Sequence, residues 1–450
     1  MKKCVFIVLL FTLPLCVLFS QTRRETITFN TWAFAIFEPI KYTKLNGEDP
    51  RFSAGIGGTE ETQPHMDLRV NYLSPNGIFG GSVETALVRS GNSLTPAVGD
   101  NATIWIKPFS WIRLNFGKFW IDTLRGSIGA SDFARYLGPQ GDQDTTFQRF
   151  TGRNGGGALL SITPTKNLFI GALININTTM RTYDNFTNDS QDAGVIYRNG
   201  QYAVAYTFQD TGRLAVQYIG GEADVQRVST SVNSSNVPTT PYLYRLFYMN
   251  IYNAYGLNNP RSLQAAFSLT AIKNIKFEMN FLYPLPVEKS GVQLQRPVGL
   301  GLGIDYTFED FNITGRTDFS FLGREKRDLN TAGHTLPSSQ ATLYRDFSIS
   351  TRLTPSYDFF FARFGMDFLV NYKTATRCNL DDYTFNDDGL HLGVALWVMK
   401  RFSPGTIQFG ITIAMPTKWQ EIADSDNLVT NKTIKAPLVI TVPLLVSFYL

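Results

Sequence analysis

Histidines are the side chains best suited to acid–base or metal chemistry, and this chain has few of them. The sequence contains His65, His334 and His391, and none has a second His or Cys at the spacing of metal ligands. His391 could act as the base of a hydrolase. However, no Ser with an oriented base is recognisable near it, so a solitary histidine is the stronger interpretation. We expect neither an enzyme nor a metal site at these residues.

Two other segments have compositions typical of ligand-binding loops. Gly299-Leu300-Gly301-Leu302-Gly303 is glycine-rich like a nucleotide-binding loop, but no helix follows and its leucines alternate as in a strand. We interpret these glycines as relieving crowding or curvature in a strand. Asp381-Asp382 and Asp387-Asp388-Gly389 could hold Ca²⁺, although a solvated loop is the interpretation we favour. We therefore expect no cofactor.

The composition excludes several classes of protein. Only 17% of the 450 residues are charged, whereas a soluble domain carries about 25%. The 35 Phe, 20 Tyr and 6 Trp are incompatible with a disordered chain. A formal net charge of only +4 gives no support for binding nucleic acid.

The N-terminal twenty residues have the pattern of a secretory signal peptide. Lys2 and Lys3 form a positive start, Val5 to Leu18 a short apolar run, and Ser20 a small residue before the polar sequence. Acylation of Cys16 is an alternative that the bulky Leu15 disfavours. We expect residues 1–20 to be removed and residues 21–450 to form one domain, in which Cys378 is the only cysteine and no internal disulfide can form.

Apolar and polar residues alternate along most of the remaining chain. Met66 to Tyr72 and Ile275 to Phe281 are clear examples, and the pattern recurs from Leu300 to Phe308. A period of two predicts strands with one apolar and one polar face. The segments run for about 9–14 residues, long enough to cross a bilayer at a tilt.

Short and long connections alternate between these strands. We predict eight tight turns, at Leu73–Gly77, Lys107–Trp111, Thr163–Asn167, Gln209–Gly212, Ile272–Asn274, Glu309–Asp310, Thr354–Tyr357 and Arg401–Gly405. The long connections include residues 121–156, 178–199, 220–260 and 323–345. Together with an opening and a closing strand, eight hairpins predict an all-β transmembrane antiparallel barrel of about 18 strands, with 16 as the fallback because 242–253 is ambiguous. The short turns would be periplasmic and the long loops extracellular.

Two segments resemble the porin-like outer-membrane barrels of bacteria, and we expect a spirochaete or a related bacterium as the source. The C-terminal strand has apolar residues at every second position, at Leu438, Ile440, Val442, Leu444, Val446, Phe448 and Leu450. Pro443 and the terminal Leu450 depart from the family pattern, in which Phe is the usual last residue. The segment from Trp105 to Lys118 resembles a porin hairpin with a Lys-Pro turn. The resemblance implies an outer-membrane location, insertion machinery that reads the last strand, and contact with outer-membrane lipid; a homotrimer stays an open option.

The polar strand faces predict which charges line the interior. Those charges are nearly balanced, which predicts weak ion selectivity; they are Arg69, Arg113, Arg213, Lys276, Arg316, Arg352 and Arg363 against Asp67, Glu84, Glu278, Asp305, Asp318 and Asp367. Phe119, Phe361 and Trp397 would also face inwards and could stack on sugar rings, although packing beneath loops is the favoured interpretation. Aromatic residues at strand ends, namely Tyr72, Trp111, Tyr283, Tyr357 and Tyr372, would form interfacial girdles.

The loop at residues 121–156 is the expected constriction of the barrel. Its charges are of both signs, at Arg125, Asp132, Arg135, Asp142, Asp144, Arg149 and Arg153, and opposing charges of this kind select polar solutes. A merely solvated loop is the competing interpretation. We expect a porin that allows passive diffusion of small hydrophilic solutes. The alternative is a structural or adhesive surface barrel that binds ligands through its long loops.

Overall fold

The computed structural model describes residues 25–44, 49–56, 65–90, 93–121, 150–175, 200–220, 262–289, 292–295, 297–328, 340–374, 377–378, 389–416, 419–420, 433–434 and 438–449. The regular structure in these ranges is β-strand. Within them, no helix combines the length and hydrophobicity needed to cross a membrane. The main strands are β1 Thr26–Lys44, β2 His65–Leu73, β3 Phe79–Ser90, β4 Ser93–Phe109, β5 Ile112–Ile121, β6 Phe150–Thr165, β7 Leu168–Asn175, β8 Gln201–Phe208, β9 Gly212–Ile219, β10 Ser262–Leu269, β11 Ile275–Pro284, β12 Val298–Phe308, β13 Phe311–Asp328, β14 Gln340–Asp358, β15 Arg363–Lys373, β16 Gly389–Phe402, β17 Gly405–Pro416 and β18 Leu438–Tyr449.

These strands form a closed antiparallel barrel of 18 strands. Each strand pairs with its neighbours in the chain, and β18 closes the barrel against β1 in a register that runs from Trp32↔Tyr449 to Lys44↔Leu438. The prediction of an all-β barrel of about 18 strands is therefore confirmed. Closure matters physically because it removes the two sheet edges that would otherwise present unpaired backbone groups.

Short additional strands extend the barrel wall at the end away from the tight turns. Arg51–Ile56 pairs with the second half of β1, and Val287–Lys289 forms a small hairpin with Val292–Gln295. Arg377–Cys378 pairs with β14. Within the described part of the chain, Trp419–Gln420 and Thr433–Ile434 form a separate two-stranded pair.

The tight turns lie close to their predicted positions with one exception. Glu309 and Asp310 join β12 to β13 in a two-residue turn, and Glu309 takes the left-handed φ of 51° that such turns favour. The prediction of a turn at Thr354–Tyr357 was wrong, because those residues lie inside β14 and Pro355 pairs with Ile313. A proline fits in a strand where its missing N–H is not needed by the ladder. The turn is instead at 359–362, where the Phe359 N–H donates to the Ala362 carbonyl at 3.0 Å.

Two predicted loops are shorter in the structure than in the sequence interpretation. Residues 150–156 belong to β6, and residues 323–328 and 340–345 belong to β13 and β14. Polar side chains suggested loops there. However, the hydrogen bonds between antiparallel strands are made by the main chain, so a hairpin can extend through polar residues. Most of the predicted long loops, at 122–149, 176–199 and 221–261, lie outside the described residues, as does 242–253.

The two faces of the sheet have opposite polarity, and the polar face is the covered one. In β11, Met279 and Phe281 are 39% and 41% exposed, whereas Glu278 and Asn280 between them are each 2% exposed. Pro443 in β18 likewise lies on the covered face. The wall of a closed barrel shields its inner face, so the polar side chains point inwards and the apolar ones outwards. A soluble sandwich would have the reverse arrangement.

Aromatic side chains lie on the outer face at both ends of the wall. Trp111 and Tyr357 are exposed at the tight-turn end, and Tyr283 and Tyr372 are exposed at the other end. Tyr72, at the tight-turn end of β2, is half-buried and packs against Phe79 at 5.7 Å between ring centroids. The apolar outer band is thus bordered by aromatic residues.

Candidate functional site

The inner wall of the barrel carries the charged residues that the strand pattern predicts. Alternation along each strand places one residue in two on this wall, and cross-strand pairing aligns them, so that Arg69 lies opposite Glu84 and Arg316 opposite Arg352. The predicted strand residues on this face are Arg69, Arg113, Arg213, Lys276, Glu278, Asp305, Arg316, Asp318, Arg352, Arg363 and Asp367. The predicted loop residues Arg125, Asp132, Arg135, Asp142, Asp144 and Arg149 lie outside the described residues.

Ion pairs hold several of these charges. Arg69 contacts Glu84 of the neighbouring strand. Lys276 Nζ lies 2.6 Å from Glu278 Oε1. The second pair joins residues two apart in one strand, which are neighbours on the same face.

A second group of ion pairs lies on β13 to β15. Arg316 Nη2 lies 2.8 Å from Asp318 Oδ1, and Arg363 contacts Asp358 across the hairpin. The sequence interpretation missed Asp358 because it placed the turn before this residue.

Three inward-facing glycines of β12, Gly299, Gly301 and Gly303, lie beside the Arg316–Asp318 pair. Gly301 lies opposite Asp318, and Gly303 lies opposite Arg316 on one side and Glu278 on the other. The structure confirms that these glycines belong to a strand, and they add no side chain to the inner wall. The long side chains of β11 and β13 therefore have space above β12, which accounts for the deep burial of Glu278 and Arg316.

Neutral polar groups bind the remaining carboxylates of this wall. Asn312 Nδ2 donates to Asp305 Oδ1 at 2.7 Å, and Thr354 Oγ1 donates to Asp367 Oδ1 at 2.5 Å. Arg352 and Asp367 are both buried. The wall from β11 to β15 is consequently a dense arrangement of charges and hydrogen bonds.

The adjoining part of the wall, on β6 to β9, contains an apolar cluster on its inner face. Leu159 and Leu173 are 1% and 0% exposed and pack with Ala203, Ala205 and Ala215. Sequence reasoning did not identify this cluster, because its apolar residues occupy inward positions where alternation predicts polar ones. The consecutive Leu159 and Leu160 were the available signal.

A short polar network borders this cluster. Gln217 Nε2 donates to Gln264 Oε1 at 2.7 Å, and Gln264 Nε2 donates to Ser262 Oγ at 2.9 Å. All three residues are buried. The hydrogen bonds satisfy polar groups that would otherwise be costly to bury.

Two inward tryptophans lie over glycines of the neighbouring strand. An ideal Cβ on Gly365 would be 2.1 Å from Cζ2 of Trp397, so the indole occupies the space that a side chain there would need. Trp105 covers Gly80 in the same way, with a Cβ-to-Cζ2 distance of 2.5 Å. Trp397 therefore packs along the wall and against Leu369 and Ala395, whereas the structure does not describe the side chain of Phe119.

Phe361 does not face inwards as the sequence interpretation expected. It lies in the turn after β14 and contacts Phe364, an exposed residue of the outer face, at 5.7 Å between ring centroids. The misplaced turn shifted the alternation at this point. Phe361 therefore belongs with the outer aromatic residues.

The described residues contain no group of three or more His, Cys, Asp or Glu that could hold a metal ion. His391 lies buried on the inner wall opposite Asn371. Asp381, Asp382, Asp387, Asp388 and His334 are outside the described residues.

No family model and no curated protein matches the chain. Among solved structures, a loop-deletion mutant of OmpT, an outer-membrane protein of Vibrio cholerae, is 12% identical with a TM-score of 0.46, over 95% of this chain and 99% of that one. An anion-selective porin from Comamonas acidovorans is 10% identical with a TM-score of 0.46, over 95% and 100% of the two chains. The outer-membrane protein OpdK of Pseudomonas aeruginosa is 7% identical with a TM-score of 0.46, over 94% and 98%. None of these likenesses assigns a family or an activity to this chain.

Proposed function

We propose that this protein is a porin-like barrel of a bacterial outer membrane through which small hydrophilic solutes diffuse passively. The observation that supports this proposal is the inverted polarity of the closed wall. An exposed apolar outer face is stable in lipid, and a charged inner face suits an aqueous path. The proposal includes no enzymatic step and no cofactor.

Membrane insertion explains why the strands close on themselves. In a bilayer, no water is available to satisfy free backbone groups, so a sheet must have no open edge. The register between β1 and β18 meets that requirement. In this proposal residues 1–20 are a signal peptide that is removed, insertion machinery reads β18, and the barrel works alone or as a homotrimer.

The segment from 122 to 149 is our candidate for the constriction. It connects β5 to β6, whose paired ends at Ile121 and Phe150 lie at the end of the wall opposite the tight turns. Its charges, of both signs, would offer opposing groups to a passing solute. Deleting residues 126–147 should therefore raise conductance without unfolding the barrel, since the ladder carries stability.

Planar-bilayer recording of the folded, heat-modifiable protein tests the proposal. Stepwise openings support a pore, and folded protein that stays silent refutes it. A deletion of residues 224–258, in the connection between β9 and β10, is the matched control that should leave conductance unchanged. Equal conductance of the wild type and the 126–147 deletion would exclude 122–149 as the constriction.

A second function is favoured by the covered part of the inner wall. Leu159 and Leu173 are buried on the inner wall, so the part of β6 and β7 around them is covered. A barrel closed in this way would serve as a structural or adhesive surface protein. Silent, well-folded protein whose loops bind an extracellular ligand would support this alternative.

A further inference from the structure

We propose that Trp105 and Arg113 form a binding site for a carboxylate or phosphate group on the inner wall, beside the tight-turn mouth. The site rests on the proposed function, because a solute would reach it through the interior of the barrel. The ligand would be the anionic group of a small permeating solute.

The Arg113 guanidinium is held in place by two neighbours. Its Cζ lies 4.5 Å from the ring centroid of Trp105, which suits stacking of the planar guanidinium on the aromatic face. Its Nε donates to Asn115 Oδ1 at 2.7 Å. Trp105 is itself positioned, because it lies over Gly80 of β3. The stack and the hydrogen bond therefore fix the orientation of the cation before any ligand arrives.

Both described partners of Arg113 are neutral. This distinguishes it from Arg69 and Arg316, each of which contacts a carboxylate. Because the hydrogen bond to Asn115 uses Nε, the two terminal nitrogens remain able to donate. Two parallel N–H donors match a carboxylate or phosphate in the bidentate geometry that makes such contacts strong.

A second cation lies beside the same ring. Lys107 Nζ is 5.4 Å from the Trp105 centroid. Two positive charges beside one aromatic ring raise the local positive potential, which favours a nearby anion. The half-buried position of Arg113 strengthens any charge interaction relative to bulk water.

Arg213 provides a matched control. It also lies half-buried on the inner wall near a tight turn, and its buried Nε has no hydrogen-bond partner among the described residues. Among the described residues, no aromatic ring stacks on Arg213 as Trp105 does on Arg113. Replacing Arg213 removes the same charge from the interior without removing the proposed site.

The test is block of the chloride current by inorganic phosphate in planar bilayers. We expect phosphate to reduce the current of the wild type in a saturable manner. Arg113→Gln should raise the half-blocking concentration about tenfold or more, as the loss of a charged hydrogen bond predicts. Arg113→Lys should restore the block only in part, because an ammonium lacks the planar fork. Arg213→Gln should retain the block and change only the selectivity.

Three results would overturn the site: no saturable block of the wild type, an unchanged block in Arg113→Gln, or an equal loss in Arg213→Gln. A titration of intrinsic fluorescence with phosphate in detergent needs no current. Wild-type protein should show a change that both Trp105→Phe and Arg113→Gln abolish. Folded protein that is silent would refute the proposed pore, and the titration would still decide the anion site.

Discussion

The close contact between Gly365 and Trp397 predicts that adding one methyl group, by Gly365→Ala, should lower the stability of the barrel. The Cβ added by Gly365→Ala would lie 2.1 Å from Cζ2 and 2.5 Å from Cε2 and Cη2 of Trp397, far inside van der Waals contact. All three atoms belong to one ring, so the ring must move or the strands must separate. Trp397 is only 7% exposed and packs against Leu369 and Ala395, which leaves little room for movement. Overpacking of this kind costs about 1–3 kcal/mol.

Urea unfolding of the barrel in lipid vesicles, followed by near-UV circular dichroism, measures this cost. Trp397→Leu will itself destabilise the protein. In that background, however, the added methyl group should cost almost nothing, so a double-mutant cycle should show a coupling of about 1–3 kcal/mol. Gly389→Ala is the matched control in β16, since an ideal Cβ there meets nothing within 4 Å. Its effect should stay within about 0.5 kcal/mol.

Two outcomes would refute this reasoning. One is a Gly365→Ala protein as stable as the wild type, which would show that the indole does not occupy this space. The other is an equal penalty in the Trp397→Leu background. That result would place the cost in the backbone of β15 and not in the ring contact.

Three other predictions follow from the inner and outer faces. Leu353→Arg, on the exposed outer face of β14, should destabilise the barrel in vesicles by about 2–4 kcal/mol. Thr354→Arg, one residue along on the inner face, should cost less; equal costs in urea unfolding would contradict the assignment of faces. Arg316→Leu should destabilise by about 3–5 kcal/mol because it breaks a buried ion pair with Asp318. Adding Asp318→Asn to Arg316→Leu should recover part of the loss, and no recovery would count against the pair. Phe360 is 98% exposed in its turn and should contact the membrane interface. A polarity-sensitive dye attached to Phe360→Cys, in a Cys378→Ser background, should show blue-shifted emission and be quenched by lipid spin labels. Water-like emission would show that the turn extends away from the bilayer.

Much of the architecture was predictable because it depends on local pattern. The side-chain period of a strand is two, so alternation in Ile275–Phe281 alone determines that Glu278 and Met279 point to opposite faces. The alternation of short turns and long loops then determined the number of strands. The polarity of the wall followed without knowledge of any contact between strands.

Turns depend on backbone geometry that residue types determine less strictly. Thr354-Pro355 suggested a turn, but proline is also compatible with a strand position that needs no N–H. Pairing with the neighbouring strand keeps Pro355 in a strand, since β13 pairs with β14 through Pro355 and as far as Tyr357. Because of the misplaced turn, Phe361 was wrongly predicted to face inwards, and Asp358 was overlooked as the partner of Arg363.

Contacts across the wall were decided by the tertiary structure alone. Arg69 and Glu84 are 15 residues apart, and only the register of β2 with β3 brings them together. The stacking of Arg113 on Trp105, and of Trp105 over Gly80, likewise depends on the alignment of three strands. Each strand fixes its own faces through short-range geometry, whereas register and closure arise from the whole sheet. The sequence by itself therefore determined the inward and outward faces of the regularly alternating strands, and the folded barrel decided the faces near the misplaced turn and which inward residues meet.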